Sequence, residues 1–165
     1  MSKHYILDGY NIIKSDETET LCSGTLEQQR NKLIALVDRN KPQGSLKNLV
    51  TIVFDGKNDN PFDSEGFSLQ KVNNLDIVFS KGTTADRIIE KLVNESNNPS
   101  NMVVITNDRG IRKLLGPSGA AFLTVEKFFE KLFGVNKDNI ILQESSKTQN
   151  YEDINKEFLD KWGKN

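Results

Sequence analysis

The chain has 165 residues, of which 36% are hydrophobic and 27% charged, the size and composition of one globular α/β domain; a fibre, a disordered tail and a disulfide scaffold are excluded. Its formal net charge of −1 neither favours nor disfavours a nucleic-acid partner, because a basic patch can sit beside an acidic site within a neutral total. The single cysteine, Cys22, has no intramolecular disulfide partner, and no run approaches the roughly 18 apolar residues of a membrane span, so a reducing compartment and no membrane are expected.

Met1-Ser2-Lys3-His4 leads straight into an apolar run, leaving no space for the core of a secretory signal; the expected location is the cytoplasm. Residues 4–8 (His-Tyr-Ile-Leu-Asp) and 48–55 (Asn-Leu-Val-Thr-Ile-Val-Phe-Asp) are short β-rich runs of the kind found in strands covered on both faces. Between them, Thr25 with Gln28 three residues later is a capping-box pattern, opening a helix that carries Leu26, Leu33, Leu36 and Val37 to about Arg39.

The stretch 56–71 is polar and turn-rich and reads as a loop. Residues 76–80 and 101–106 read as further strands. Between them a helix from Thr84 to about Asn94 places Ile88, Ile89, Leu92 and Val93 on one face. A short helical turn around Ile111–Leu115 stops at Gly116-Pro117, Ala121–Leu123 supplies a fifth strand, and Thr124 caps a last helix ending near Gly134. No internal repeat is evident. Strands alternating with helices predict a mostly parallel five-stranded sheet with right-handed crossovers. Residues 1–143 form the expected domain. In 144–165 a polar linker leads to an amphipathic helix bearing Tyr151, Ile154, Phe158 and Trp162, which is expected to dock on the domain rather than on a partner.

Three strands end in an aspartate: Asp8, Asp55 and Asp108. Asp86 joins them from the start of a helix. In open α/β sheets the carboxyl ends of the strands form the ligand crevice, so these side chains can converge despite their separation in sequence. Singly, each acid has an ordinary explanation, since Asp8-Gly9 and Asp55-Gly56 are turn dipeptides and Asp86 suits a helix N-terminus. Together they call for a shared cause. Two carboxylates about 4 Å apart repel by roughly 4 kcal/mol at an effective dielectric of about 20, and a divalent cation removes that conflict. An all-oxygen set without histidine or cysteine favours Mg²⁺ or Mn²⁺ over zinc, an ion suited to phosphodiester hydrolysis. His4, the only histidine, stands beside no acid or nucleophile at a telling spacing and is given no role.

Ile6-Leu7-Asp8-Gly9-Tyr10-Asn11, Val53-Phe54-Asp55, Lys81-Gly82-Thr83-Thr84-Ala85-Asp86 and Ile105-Thr106-Asn107-Asp108-Arg109 together resemble the YacP-like NYN family of the PIN-like nuclease superfamily, over residues 4 to 133. The resemblance implies a PIN-like α/β/α sandwich and a Mg²⁺- or Mn²⁺-dependent endoribonuclease. Asp8, Asp86 and Asp108 match its acidic positions and Asp55 the acid after the second strand. Asn11 matches the asparagine of the family name and would orient the Asp8 carboxylate or a water. Thr83 and Asn107 depart from residues common in relatives without removing a proposed ligand. The implied products are a 5′-phosphate and a 3′-hydroxyl, from messenger, structured or ribosome-bound RNA.

Lys81, Arg87, Arg109, Arg112 and Lys113 flank the acidic motifs and would hold phosphates, and Thr84 stands with them as both helix cap and substrate contact. Tyr10 would stack on an unpaired base. Two competing readings are a phosphoryl-receiver-like regulatory domain and a non-catalytic RNA-binding adaptor. The first wants an acidic pair after strand one, where this chain has Gly9-Tyr10-Asn11, and the second does not require four carboxylates. A phosphatase with an aspartyl nucleophile would need a second aspartate at position 10. No sequence feature sets the oligomeric state.

Overall fold

A computed structural model describes residues 2–19, 21–42, 44, 47–56 and 66–133. Strands β1 (His4–Asp8), β2 (Leu49–Phe54), β3 (Gly66–Val72), β4 (Leu75–Lys81), β5 (Met102–Ile105) and β6 (Ala121–Leu123) form one sheet in the order β3-β4-β2-β1-β5-β6. Every pair is parallel except β3–β4. The five expected strands are therefore present and parallel, and a sixth lies outside them at the edge.

That sixth strand corrects the reading of 56–71 as loop. Residues 66–72 pair antiparallel with β4 through a two-residue turn in which Asn73 takes the left-handed conformation (φ 53°), one that asparagine tolerates. Phe67 and Leu69 alternate with polar neighbours, the period of a strand with one wet face, but both stay largely exposed.

Two helical layers cover the sheet. On one face Tyr5, Leu7, Val50, Ile52, Phe54 and Ile77 pack against α1 (Gly9–Ile13), α2 (Leu26–Asn40) and α5 (Val125–Phe133). On the other, Ile6, Val53, Val78 and Val104 pack against α3 (Ala85–Asn94) and α4 (Arg109–Leu115). The alternation of faces follows from the two-residue period of a strand.

The expected caps are present. The Thr25 hydroxyl accepts from the Gln28 N–H at 3.2 Å while the Gln28 side chain accepts from the Thr25 N–H at 2.9 Å, closing the capping box of α2. Thr84 and Thr124 cap α3 and α5 through the N–H groups of Arg87 and Lys127. Leu26, expected on the buried stripe of α2, is 49% exposed, and Ile34 is buried with Leu33, Leu36 and Val37 instead. Cys22 is a buried free thiol whose burial pushes its pKa up to about 12. No helix among the described residues is long and apolar enough to cross a membrane. The linker and helix expected over 144–165, and Gly134, lie outside the described residues.

Candidate active site

The parallel strands run β4-β2-β1 to one side and β5-β6 to the other, so strand order reverses between β1 and β5. At such a reversal the loops leaving the two strands go to opposite faces and open a crevice at the carboxyl end. Asp8 closes β1 and Asp108 follows β5, so the crevice lies between these two acids. His4 sits at the other end of β1, roughly 13 Å away at about 3.3 Å per residue, where its ring Nε2 meets Thr51 Oγ1 at 2.7 Å. The crevice is thus free of histidine.

Asp8 is 6% exposed. Burial pushes its carboxyl up to about 6, helped by the negative charges of Asp86 and Asp108; the Thr106 hydroxyl and the Asn11 backbone N–H pull the other way without winning. Asp86, largely exposed at the start of α3, is also raised, by partial desolvation first and then by Asp108 and Asp55. These influences link all four aspartates into one electrostatic cluster. Among the described residues none of the four is ion-paired, the two salt bridges there being Lys71–Asp76 and Lys91–Glu95. Nor do any three acidic, histidine or cysteine side chains among the described residues already stand at metal-cage spacing.

Three of the acids also hold up the backbone around them. Asp55 Oδ1 accepts from the Ala85 N–H at 2.6 Å and so ties the end of β2 to the first turn of α3. Asp108 caps α4 by accepting from the Gly110 N–H at 2.7 Å. Asp8 Oδ2 accepts from Thr106 Oγ1 at 3.1 Å. Asp86 has no such bond among the influences on its carboxyl.

Asn11 points across the crevice, its Oδ1 accepting from the Asn107 N–H at 2.7 Å, and Asn107 in turn accepts from the Val125 N–H at 2.9 Å. A chain of two side-chain amides thereby fixes α1, the β5–α4 turn and the start of α5 against one another. Thr106 is the residue that the sequence reading left without a role. Fully buried, its hydroxyl donates to Asp8 and accepts from the Asp108 N–H at 3.0 Å. The signal for it was a hydroxyl interrupting the apolar run Met102–Ile105 on the same face as Asp8.

The expected substrate contacts separate in space. Arg109, next to Asp108, and Lys113, in the last turn of α4, are both exposed. Arg112 is turned inward, donating to the Thr106 carbonyl from Nε at 3.3 Å and Nη2 at 3.0 Å. The Thr84 hydroxyl is engaged as a helix cap, and Arg87 lines a smaller cleft of about 290 Å³ with Gly66, Thr83 and Lys91. Tyr10 and Lys81 line a larger groove of about 650 Å³ that reaches Asp55. There Tyr10 packs on Phe54, with ring centroids 5.3 Å apart.

The family model of the YacP-like NYN domain matches residues 5–165. No curated protein matches the chain. Among solved structures, the crystal structure of Rae1 (YacP) from Bacillus subtilis aligns with a TM-score of 0.59 at 21% identity, covering 99% of this chain and 94% of that one. A tryptophan-to-leucine mutant of the same Bacillus subtilis protein aligns with a TM-score of 0.60 at 21% identity, covering 95% and 90%. A family match over nearly the whole length, joined to the same fold, places this chain in the YacP-like NYN domain family.

Proposed function

We propose that this protein is a divalent-metal-dependent endoribonuclease in which Asp8, Asp86 and Asp108 hold Mg²⁺ or Mn²⁺ and Asp55 supports the ion directly or through water. The observation that carries the reading is the buried Asp8 carboxylate, raised to about 6 and sharing a crevice at the strand-order reversal with three further aspartates, none ion-paired among the described residues. A donor set of carboxylate oxygens alone suits a hard cation, and binding one offsets both the burial and the mutual repulsion that raise Asp8 and Asp86. When bound, such an ion supplies Lewis-acid stabilisation of the phosphoryl oxygens and eases deprotonation of water.

The chain's own residues do the remaining work. Thr106 and Asn11 fix the Asp8 carboxylate and the turn that carries Asp108, so the acids meet substrate with little reorganisation. Arg109 and Lys113 give the flanking phosphates sequence-independent cationic contacts. Attack by water at phosphorus breaks the bond to the 3′-oxygen, leaving a 5′-phosphate and a 3′-hydroxyl. Membership of the NYN family favours RNA over other phosphodiesters. The adaptor reading is weakened by the concentration of negative charge where a phosphate would have to lie.

The test is cleavage of a mixed single-stranded and structured RNA pool in Mn²⁺, Mg²⁺ or EDTA, comparing the wild type with Asp86→Asn. Cutting that depends on metal and disappears in the variant supports a nuclease. RNA binding without cutting in any of the three conditions transfers the assignment to the adaptor.

A further inference from the structure

The groove beyond Asp55 is built for more than phosphate. Its walls are Tyr10 from α1, Arg30 and the exposed Leu26 from α2, and Phe79 from β4, with Lys14 and Lys81 at its margins. Arg30 is the organising residue. Its Nη1 donates to the Tyr10 hydroxyl at 2.8 Å while its guanidinium lies 5.6 Å from the centre of the Phe79 ring. Phe79 in turn stacks on Phe54, with centroids 5.6 Å apart and planes 27° apart, and Tyr10 packs on Phe54 at a 60° tilt. The result is a rigid aromatic layer topped by a planar cation that has no carboxylate partner among the described residues.

Planar cations and aromatic faces stack on nucleobases, and ammonium groups pair with phosphates. Among the described residues the groove sets one carboxylate, Asp55, at the end that opens on the acidic cluster, against Lys14, Arg30 and Lys81. Charge and shape therefore fit a nucleotide with an unpaired base. About 650 Å³ lies in the range of a small-ligand pocket.

We infer that the Tyr10–Arg30–Phe79 groove is a stacking subsite for one unpaired base adjoining the scissile bond, with Lys14 and Lys81 holding the phosphates on either side of it. This inference rests on the endoribonuclease reading. It makes the substrate single-stranded at that nucleotide, because a base stacked within a helix has no free face to lay on the groove.

The test is a spacer scan of a cleaved RNA oligonucleotide in Mn²⁺, replacing one nucleotide at a time by an abasic linker. Expected is a rise in KM of roughly tenfold at one position next to the cut, and little effect elsewhere. In Arg30→Gln the dependence on that position should vanish. Arg30→Lys, which keeps charge but not the planar fork, should keep the salt dependence and still lose the positional effect. A flat scan in the wild type, which requires no variant to fold, overturns the subsite while leaving the nuclease intact. A positional effect that persists unchanged in both Arg30 variants also overturns it. Absence of any RNA cleavage or binding by the wild type removes the nuclease reading, and the subsite with it.

Discussion

Thr106 and Asp8 are 98 residues apart in the chain, yet the Thr106 hydroxyl donates to Asp8 Oδ2 at 3.1 Å in the fully buried floor of the crevice. The same hydroxyl accepts from the Asp108 N–H, so one side chain sets the position of two acids. Replacing Thr106 by the near-isosteric valine removes both bonds and leaves the Asp108 N–H without that acceptor. Thr106→Val should lose about 1–3 kcal/mol of stability at pH 7 by denaturant unfolding. Its kcat should fall with KM little changed, because the acids are misplaced while the cationic contacts survive. Unaltered kcat would show that Thr106 does not position the acids.

Asp8 gives the metal-free protein a defined pH dependence. Its folded-state value of about 6 lies above the ordinary 3.8, so the folded protein binds the proton more tightly than the unfolded chain. This contribution to stability is complete below about pH 3.8 and is lost as pH rises to about 6, a change on the order of 3 kcal/mol. Asp8→Asn has no charge to bury. In EDTA it should be more stable than the wild type by about 1–3 kcal/mol at pH 7.5, with the difference closing toward pH 4. The same variant should be inactive on RNA and should lose the rise in melting temperature that Mn²⁺ gives the wild type. Denaturant titrations at the two pH values and a Mn²⁺ melting series check all three outcomes.

The basic residues of α4 should divide by orientation. Arg109 and Lys113 are exposed, and changing either to glutamine should leave stability within about 0.5 kcal/mol while reducing the salt dependence of RNA binding by about one phosphate contact. Arg112 holds the Thr106 carbonyl, so Arg112→Gln should cost about 1–2 kcal/mol of stability with an unchanged salt slope. Binding isotherms at several salt concentrations, set beside thermal melts, separate the two classes.

Gly56 follows Asp55 so closely against β4 that an added Cβ would run into the Ser80 carbonyl oxygen. Its N–H also donates to Ser80 Oγ at 3.0 Å. Backbone on both sides leaves no flexible side chain to give way. Gly56→Ala should therefore destabilise by about 1–3 kcal/mol and shift Asp55 away from the Ala85 N–H that it holds. A melt unchanged from the wild type would show that the strand ends can separate freely.

Local pattern in the sequence was sufficient for the parallel strands, the capping box at Thr25 and Gln28, the cap at Thr84 and the two apolar faces, because each depends on residues a few positions apart. It also marked Asp8 at the end of β1 and the acids that follow two further strands, Asp55 and Asp108, and their arrangement with Asp86 carried the family. The edge strand β3 escaped it, since Phe67 and Leu69 alternate within a window dominated by turn-forming and charged residues. Tertiary structure alone decided that Arg112 faces inward and that Arg30 meets Tyr10 and Phe79. Those partners come together only when the sheet sets β4 beside β2 and the α1–α2 layer packs over them, and no spacing along the chain encodes that meeting.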